Sequence, residues 1–351
     1  MNSSWLEQAC LPLNNDSMNQ ATEHQTQLTK PPGALGQLEE IAIKLAAMQG
    51  KKLPEVNNIQ ITVFAADHGI ANQGVSAFPQ AVTAEMIKNF ARGGAAINVL
   101  AKLNNAKLDV VNLGTAFPAD NLEGVIDKSI SDGTRDFSLE AAMSSDECEI
   151  ALSVGAEMIG SAYDNKTDLF IAGEMGIANT SSATAIACAL LARKAEDIAG
   201  PGTGLDKDGV SKKASIINKA LLLHNVSKDQ PMKILETFGG FEIAAIAGAY
   251  IRCAQLGIPV LVDGFISSIA ALIASRIKPA IKDWFIFAHA SAEPGHQIIM
   301  QSLNVTPVLN LGMRLGEGSG AAVAIPIIKS ACALHAQMAT FADAGVSEKS
   351  A

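Results

Sequence analysis

Short apolar runs alternate with longer stretches of helical pattern through most of the chain, and each run ends in a small or polar turn. The predicted strands are Ile59–Ala65, Leu108–Leu113, Leu169–Ala172, Val260–Val262, Phe285–Ala288 and Val308–Leu311. Continuous apolar strands joined by helices are typical of a parallel sheet that is covered on both faces. The pattern therefore predicts a three-layer α/β fold, with a mostly parallel sheet of about six strands flanked by helices.

Helical patterns at both ends of the chain lie outside this alternation. The run from Leu35 to Ala47 has the spacing of an amphipathic helix, and the stretch from Ala324 to Met338 is also helical. We expect residues 1–50 and 325–351 to form a small helical domain together. Residues 51–324 then form the large α/β catalytic domain.

The composition excludes several classes of protein. A chain of 351 residues that is 48% hydrophobic and 17% charged can bury a large core. The net charge of -9 argues against nucleic acid or an anionic membrane as the main partner. The five cysteines are scattered without a Cys-x-x-Cys pair, and no signal-peptide pattern opens the chain. We therefore expect no disulfide framework and a cytoplasmic location.

One apolar stretch, Leu256–Ile277, is long enough to suggest a membrane span. Pro259, Asp263 and Gly264 interrupt it, and an Asp at the centre of a membrane costs a few kcal/mol. A buried strand, a turn and a buried helix explain the stretch better.

Two glutamates lie in glycine-rich turns where predicted strands end. Glu317 has glycine on both sides, and Glu174 follows Gly173. Two carboxylates at one sheet edge suit general acid/base work or stabilisation of a developing cation. Alternatively, Glu317 only charges the first turn of the next helix, and Glu174 binds backbone amides in its own turn. Two such turns in one chain favour the functional interpretation.

The carboxyl ends of parallel strands meet at one edge of a sheet. This topology predicts that five polar side chains approach one rim, namely Asp67, Glu174, Asp263, Ser291 and Glu317. We expect Thr180 or Ser181 to cap the helix after Glu174.

The segment Gly200–Lys213 is rich in glycine and then opens into a helix, which is predicted to begin near Ser211. Backbone N–H groups in such a turn, with a lysine nearby, form an anion site. The segment matches neither a Walker A loop nor the Gly-x-Gly-x-x-Gly fingerprint. A phosphate site is favoured over a simple turn.

Two further groups of residues are candidates for a site. Phe78 and Met86 stand near the start of a predicted helix, where they line a slot for a flat ring unless they are ordinary core residues. His68, His289 and His296 have no partners at metal-ligand spacing, so we expect no metal site.

Several motifs, in order along nearly the whole chain, resemble those of the nicotinate-nucleotide–dimethylbenzimidazole phosphoribosyltransferases. They are Lys30-Pro-Pro-Gly-Ala-Leu-Gly-Gln-Leu-Glu39, Ala66-Asp-His-Gly69, Gly173-Glu-Met-Gly-Ile-Ala-Asn-Thr180, Gly239-Gly-Phe-Glu242, Leu261-Val-Asp-Gly-Phe265, Ser291-Ala-Glu293 and Met313-Arg-Leu-Gly-Glu-Gly-Ser-Gly-Ala321. The resemblance implies transfer of the phosphoribosyl group from nicotinate mononucleotide to dimethylbenzimidazole. It also implies a homodimer that needs no cofactor or metal.

The resemblance also assigns roles to single residues. Glu317 is the expected catalytic base and Glu174 the second active-site carboxylate. The expected phosphoribosyl-binding residues are Gly176, Gly202, Thr203, Gly204, Lys213 and Ser291. The expected base pocket consists of Phe78, Met86, Met175 and Leu315, and its bulk leaves the preferred base open between a benzimidazole, a purine and a phenol.

Two other functions remain as alternatives. A nicotinamide-dependent oxidoreductase uses the same kind of sheet, but the dinucleotide fingerprint is missing. A non-catalytic nucleotide sensor would keep the pocket, but it would not need two glutamates in glycine-rich turns.

Overall fold

The computed structural model describes residues 3–119 and 122–347. In these ranges six parallel strands form one sheet in the order β3-β2-β1-β4-β5-β6. The strands are β1 (Ile59–Ala65), β2 (Lys107–Asn112), β3 (Val125–Asp127), β4 (Leu169–Met175), β5 (Val260–Val262) and β6 (Phe285–Phe287).

The helices follow the alternation that the sequence predicts. They are α1 (Asn15–Gln27), α2 (Gln37–Gln49), α3 (Ala81–Ala91), α4 (Ala96–Asn104), α5 (Ser145–Asp164), α6 (Asn179–Leu191), α7 (Ala195–Ile198), α8 (Lys207–His224), α9 (Pro231–Phe238), α10 (Phe241–Leu256), α11 (Phe265–Ile277), α12 (Gly295–Leu303), α13 (Ser319–Gln337) and α14 (Phe341–Ala344). Three short 3₁₀ segments, Ser3–Trp5, Gly69–Gln73 and Pro279–Trp284, complete the described elements.

The centre of the sheet is the pair β1 and β4. Every residue of β1 is buried, as expected for a parallel strand with helices on both faces. The strand order reverses direction between β1 and β4, and open α/β sheets bind ligands beside such a reversal, at the carboxyl ends of the strands. The fold class predicted from the sequence is confirmed.

Two details of the predicted sheet are wrong. The run Val308–Leu311 forms no strand, because it lies beyond the end of β6 and only Leu309 makes an isolated bridge, with His289. The sixth strand is instead β3, a three-residue strand whose side chains are half-buried or exposed. Its pattern carries too little hydrophobic signal for prediction.

The helices flank the sheet in two groups. On one side α5 packs on α10, and α10 contacts β1 and β4. In the other group α4 packs on α13, and these helices contact β2 and β4. Helix α2 packs on both α1 and α13, so the two ends of the chain do meet. The division into a small and a large domain stays a prediction, and its residues 1–2 and 348–351 lie outside the described residues.

The apolar stretch Leu256–Ile277 forms the end of α10, strand β5 and the buried helix α11, as predicted. By length and composition, α13 is the helix in the described residues that could cross a membrane, but its residues are mostly buried inside the protein. Such burial is also typical of a core helix.

Helix α13 contains Pro326, which has no N–H to give to the carbonyl of Ala322 one turn earlier. The buried side chain of Asn104, at the end of α4, donates to that carbonyl at 3.1 Å. The amide thus replaces the missing helical hydrogen bond, and the helix continues through the proline.

Candidate active site

A cavity of about 330 Å³ opens at the carboxyl ends of β4, β5 and β6, which is a typical size for a small-molecule site. Its walls include ten of the twelve site residues predicted from the sequence. They are Glu174, Glu317, Gly176, Gly202, Thr203, Ser291, Phe78, Met86, Met175 and Leu315. The topology has therefore brought residues from most of the chain length to one place.

The predicted rim is correct for four of its five polar residues. Asp67 does not reach the cavity, because it is buried behind the wall and accepts hydrogen bonds from Thr83 and from the N–H of Ala116. Glu174 lies on β4 itself, opposite Phe64 of β1, instead of in a turn after the strand.

Neither Gly204 nor Lys213 lines the cavity. The helix α8 begins at Lys207, earlier than predicted, because Asp206 caps it by accepting from the N–H of Gly209 at 2.8 Å. The turn of Gly204 therefore closes before the helix, where its N–H donates to the carbonyl of Pro201.

Lys213 is fully buried behind the wall. Its ammonium donates to the hydroxyl of Thr180 at 2.7 Å and to the carbonyl of Gly200 at 3.3 Å. Burial lowers the pKa of Lys213 to about 8, and the charge of Glu293 opposes this shift. The ammonium group of Lys213 thus does not reach the cavity surface but contacts Thr180, which does line the cavity.

Gly202 lies on the cavity wall close to this charge. A Cβ at position 202 would lie 2.8 Å from the hydroxyl oxygen of Thr180 and 3.6 Å from the ammonium of Lys213. Its φ of +55° also favours glycine. The guanidinium of Arg314, on the cavity wall, donates to the carbonyl of Gly202 at 3.0 Å. This corner of the cavity therefore has the charge and the open backbone that a phosphate needs.

The turn of Glu317 has an unusual backbone. Gly316, Glu317 and Gly318 have φ values of +88°, +64° and +82°. A left-handed conformation costs a residue with a Cβ roughly 1–2 kcal/mol, and such strain is concentrated at functional sites. A Cβ at Gly173 would overlap the carbonyl oxygen of Glu317, so the turn packs directly on the backbone of β4.

The carboxylate of Glu317 points to a helix other than its own. Its Oε2 accepts from the N–H of Ile97, in the first turn of α4, at 3.3 Å. The alternative that it charges the first turn of α13 is therefore wrong. Burial raises the pKa of Glu317, and the charge of Asp263 raises it further, while the N–H of Ile97 opposes both effects.

Glu174 is buried to a similar extent, and other acidic groups surround it. Burial raises the pKa of its carboxyl well above the usual range, and the charges of Glu242, Asp263 and Glu317 act in the same direction. The side-chain amide of Asn179 donates to its Oε2, so the alternative that it binds amides of its own turn is not observed. This environment favours the neutral acid.

The start of α6 differs from the prediction. Neither Thr180 nor Ser181 caps this helix; the residue before it is Ala178, with a φ of +75° and no side-chain cap. Thr180 instead faces the cavity and accepts from Lys213.

Sequence reasoning placed Asp263 at the rim but gave no catalytic or binding role to it or to five other polar cavity residues, namely Asn179, Thr180, His289, Glu293 and Arg314. Most of them stand beside assigned residues in the recognised motifs, which was the available signal. Asp263 is the most informative. It accepts from the N–H of Ala321 at 2.7 Å and also from Gly318, so it holds the backbone that directly follows Glu317.

The histidines bind protein groups. His296 accepts from the N–H of Ser291 at 2.7 Å through Nδ1, and its Nε2 lies 3.0 Å from the hydroxyl of Ser268. Burial lowers the pKa of His296 to about 3, so the ring is neutral. Among residues 3–119 and 122–347, no three His, Cys, Asp or Glu side chains are grouped to hold a metal ion.

Together, the crevice at a strand reversal, a glycine corner with cations and a pair of glutamates define an enzyme of the α/β class that acts on a phosphorylated substrate. Residues 10–346 match the family model described as phosphoribosyltransferase. The chain belongs to this phosphoribosyltransferase family.

Named relatives are similar over the whole chain. The nicotinate-nucleotide–dimethylbenzimidazole phosphoribosyltransferase of Pseudomonas aeruginosa (strain PAO1) is 52% identical over 351 residues, which is 100% of both chains. The enzyme of the same name from Pseudomonas putida (strain KT2440) is 50% identical over the same length. A crystal structure of the enzyme of that name from Thermus thermophilus matches 96% of this chain and 100% of its own, with a TM-score of 0.90 and 38% identity.

Proposed function

We propose that the protein transfers the phosphoribosyl group of nicotinate mononucleotide to 5,6-dimethylbenzimidazole or a related base. The products are nicotinate and α-ribazole 5′-phosphate, the nucleotide of the cobalamin nucleotide loop. The observation that carries the proposal is the meeting of Glu174 and Glu317 on one cavity, beside a corner with Lys213 and Arg314. The full-length similarity to enzymes of this name supports it.

The substrate fits the cavity in one orientation. The phosphate carries negative charge, and four carboxylates line the walls, namely Glu174, Asp263, Glu293 and Glu317. Lys213 and Arg314 both contact the Gly200–Gly202 backbone, so the phosphate lies at that corner. The ribose then spans the floor, and the incoming base lies against the apolar wall of Phe78, Met86, Met175 and Leu315.

The chemistry needs a proton acceptor more than a proton donor. Nicotinate leaves C1′ as a neutral ring nitrogen, so its departure needs no general acid. The transition state at C1′ resembles an oxocarbenium ion, as in glycoside cleavage. The base attacks with one imidazole nitrogen from the opposite face, which converts the β-linkage to an α-linkage. The proton on its other nitrogen then becomes acidic, and a carboxylate about 3 Å away takes it.

The environments of the two glutamates assign their roles. Two titratable groups whose surroundings separate their pKa values divide the acid and base roles between them. Glu174 is surrounded by other acids that raise its pKa, whereas Glu317 has the N–H of Ile97 at a helix N-terminus to stabilise its anion. Glu317 is thus the ionised base. Glu174 orients the ribose by hydrogen bonding, and its carboxyl is also placed to stabilise positive charge once the sugar becomes cationic.

The two alternative functions are less well supported. The strand order is that of dinucleotide-binding proteins, but β1 is followed by Ala66-Asp67-His68-Gly69 where an oxidoreductase has its glycine fingerprint. A sensor gains nothing from the strained backbone of Glu317, which costs stability.

An assay of nicotinate release tests the proposal. The protein is incubated with nicotinate mononucleotide and each of several bases, including dimethylbenzimidazole, adenine and a phenol. We expect release that depends on the added base, with formation of the matching α-linked nucleotide. Release at the same rate without any base would indicate hydrolysis, and no release with any base would exclude the proposed reaction.

We also propose a homodimer that works in the cytoplasm and needs no cofactor or metal. All five cysteines are free, as expected in a reducing compartment. Light scattering on the purified protein should give twice the mass of one chain, and dialysis against a chelator should leave the activity unchanged.

A further inference from the structure

Asp67 and His68 belong to a motif that the proposed chemistry does not use. Both side chains are completely buried, and neither lines the cavity. They follow β1 directly, at the edge of the sheet where the cavity opens. Their partners include residues of α3, α6 and α10, so they connect two helices that line the cavity, α3 and α6, with the buried helix α10.

Asp67 is linked to the cavity wall through a single hydroxyl group. The hydroxyl of Thr83, on α3, donates to Oδ1 of Asp67 at 2.7 Å. The N–H of Ile177 donates to the same hydroxyl oxygen at 3.0 Å. A backbone N–H can only donate, so the hydrogen of Thr83 must point to the carboxylate. The hydrogen bonds therefore run in one direction, from Ile177 to Thr83 and from Thr83 to Asp67, and both donors are used.

This chain of hydrogen bonds joins two segments that line the cavity, helix α3 and the loop after β4. Ile177 lines it, three residues after Glu174. Val82 and Met86, on either side of Thr83 along α3, line it as well. The hydroxyl of Thr83 thus sets the distance between helix α3, which carries Met86 of the apolar wall, and the loop that follows Glu174 and strand β4.

His68 makes further connections among α3, α6 and α10. Its carbonyl accepts from the side chain of Gln80 at 2.9 Å, just before α3 begins. Its ring lies 2.9 Å from the hydroxyl of Ser182 in α6 and 2.7 Å from Glu242 in α10. The Asp67-His68 pair is therefore a fixed point from which both walls are held.

We propose that Thr83, held by Asp67, is a positioning residue that sets the width of the slot for the acceptor base. The proposal rests on the proposed function, because it concerns the base of that reaction. Thr83 touches no substrate. Without its hydroxyl the buried N–H of Ile177 has no partner, and the loop or the helix must shift.

The test replaces Thr83 by valine, which has the same shape but no hydroxyl. We expect the KM for dimethylbenzimidazole to rise about tenfold, since small displacements of a positioned group are costly. The KM for nicotinate mononucleotide should stay within about twofold, and Thr83→Ser should restore the wild-type value. Thr62→Val is the matched control, because Thr62 is similarly buried in β1 but does not line the cavity.

Asp67→Asn changes the acceptor of the same Thr83 hydrogen bond, so it tests the proposal even if Thr83→Val does not fold. We expect the same selective rise in KM, and a double variant no worse than Thr83→Val, because residues of one chain are not additive. An unchanged KM for the base, an equal rise for both substrates, no rescue by serine, or additive effects would each refute the positioning role. Wild-type protein without turnover on any base would instead refute the proposed function.

Discussion

The backbone N–H of Glu317 donates to the carbonyl oxygen of Glu174 at 3.3 Å. The two glutamates are thus joined through their main chains, and their side chains are both free to face the cavity. Gly173 and Gly316 make the contact possible, because a Cβ at either position would collide with the other glutamate. The site is therefore organised by backbone contacts before any substrate binds.

The first prediction concerns the base. Glu317→Gln keeps the size of the side chain but cannot accept the proton, so kcat should fall by about 10³-fold, within the usual range for general bases. The KM values should change little, since the amide still fits the turn. Nicotinate release under saturating substrates measures the effect. Wild-type turnover in this variant would remove the role of base from Glu317.

The second prediction is the acid limb of the pH profile. Glu317 acts only when ionised, and burial raises its pKa. Activity should therefore be lost on acidification at a pH above the ordinary glutamate value of about 4.3. The measurement is kcat/KM between about pH 4 and pH 8. In Glu317→Gln the residual rate should lack this limb; a limb that persists would belong to another group.

The third prediction concerns Lys213, whose pKa lies at about 8. The ammonium loses its charge as the pH rises through this value, so the attraction for the phosphate should weaken and the KM for nicotinate mononucleotide should rise. Lys213→Met should show the high KM at every pH, with the KM for the base unchanged. If the KM of wild-type protein is constant from neutral pH to well above the pKa of Lys213, this lysine does not act on the phosphate.

The fourth prediction compares two glycines of one segment. Gly312 and Gly316 have φ values of +67° and +88°, but only at Gly316 would a Cβ meet a neighbour, where it would overlap Oε1 of Glu174. Gly312→Ala should cost about 1 kcal/mol of stability and leave kcat unchanged. Gly316→Ala should lower kcat at least tenfold as well, because Glu174 must move. Equal kcat values in the two variants would show that the contact is unimportant.

The fifth prediction tests the apolar wall. Met86→Ala removes buried contacts of the base, so the KM for dimethylbenzimidazole should rise about tenfold, equivalent to roughly 1.4 kcal/mol. The KM for nicotinate mononucleotide should not change. Val99→Ala is the control, because Val99 is exposed on α4 and does not line the cavity. An effect on both substrates would place Met86 elsewhere in the mechanism.

Much of the fold was predictable because five strands are short runs rich in apolar residues, which the sequence displays directly. The rim followed from the rule that parallel strands end at one edge. Strand β3 was missed because its three residues are not fully buried. Val308–Leu311 was mistaken for a strand because apolar composition does not tell whether a neighbouring strand is long enough to pair with it.

The site residues that lie in recognised motifs were predictable from the sequence. The positions of side chains that depend on burial were less predictable. Lys213 was expected at the surface of the cavity, since lysine is rarely buried completely. Its position behind the wall depends on neutral acceptors, Thr180 and Gly200, which no local pattern indicates. The inward position of Asp67 likewise depends on Thr83, a partner from another element.

Helix α4 contacts the region of the catalytic turn at both of its ends. The N–H of Ile97 donates to the carboxylate of Glu317. The side chain of Asn104 donates to the carbonyl of Ala322, which has no helical donor because residue 326 is a proline. Loss of the amide at position 104 would therefore leave the carbonyl of Ala322 without this donor, unless Pro326 were also replaced by a residue with an N–H. The path of α13 beyond the catalytic turn thus depends on an amide that does not itself line the cavity.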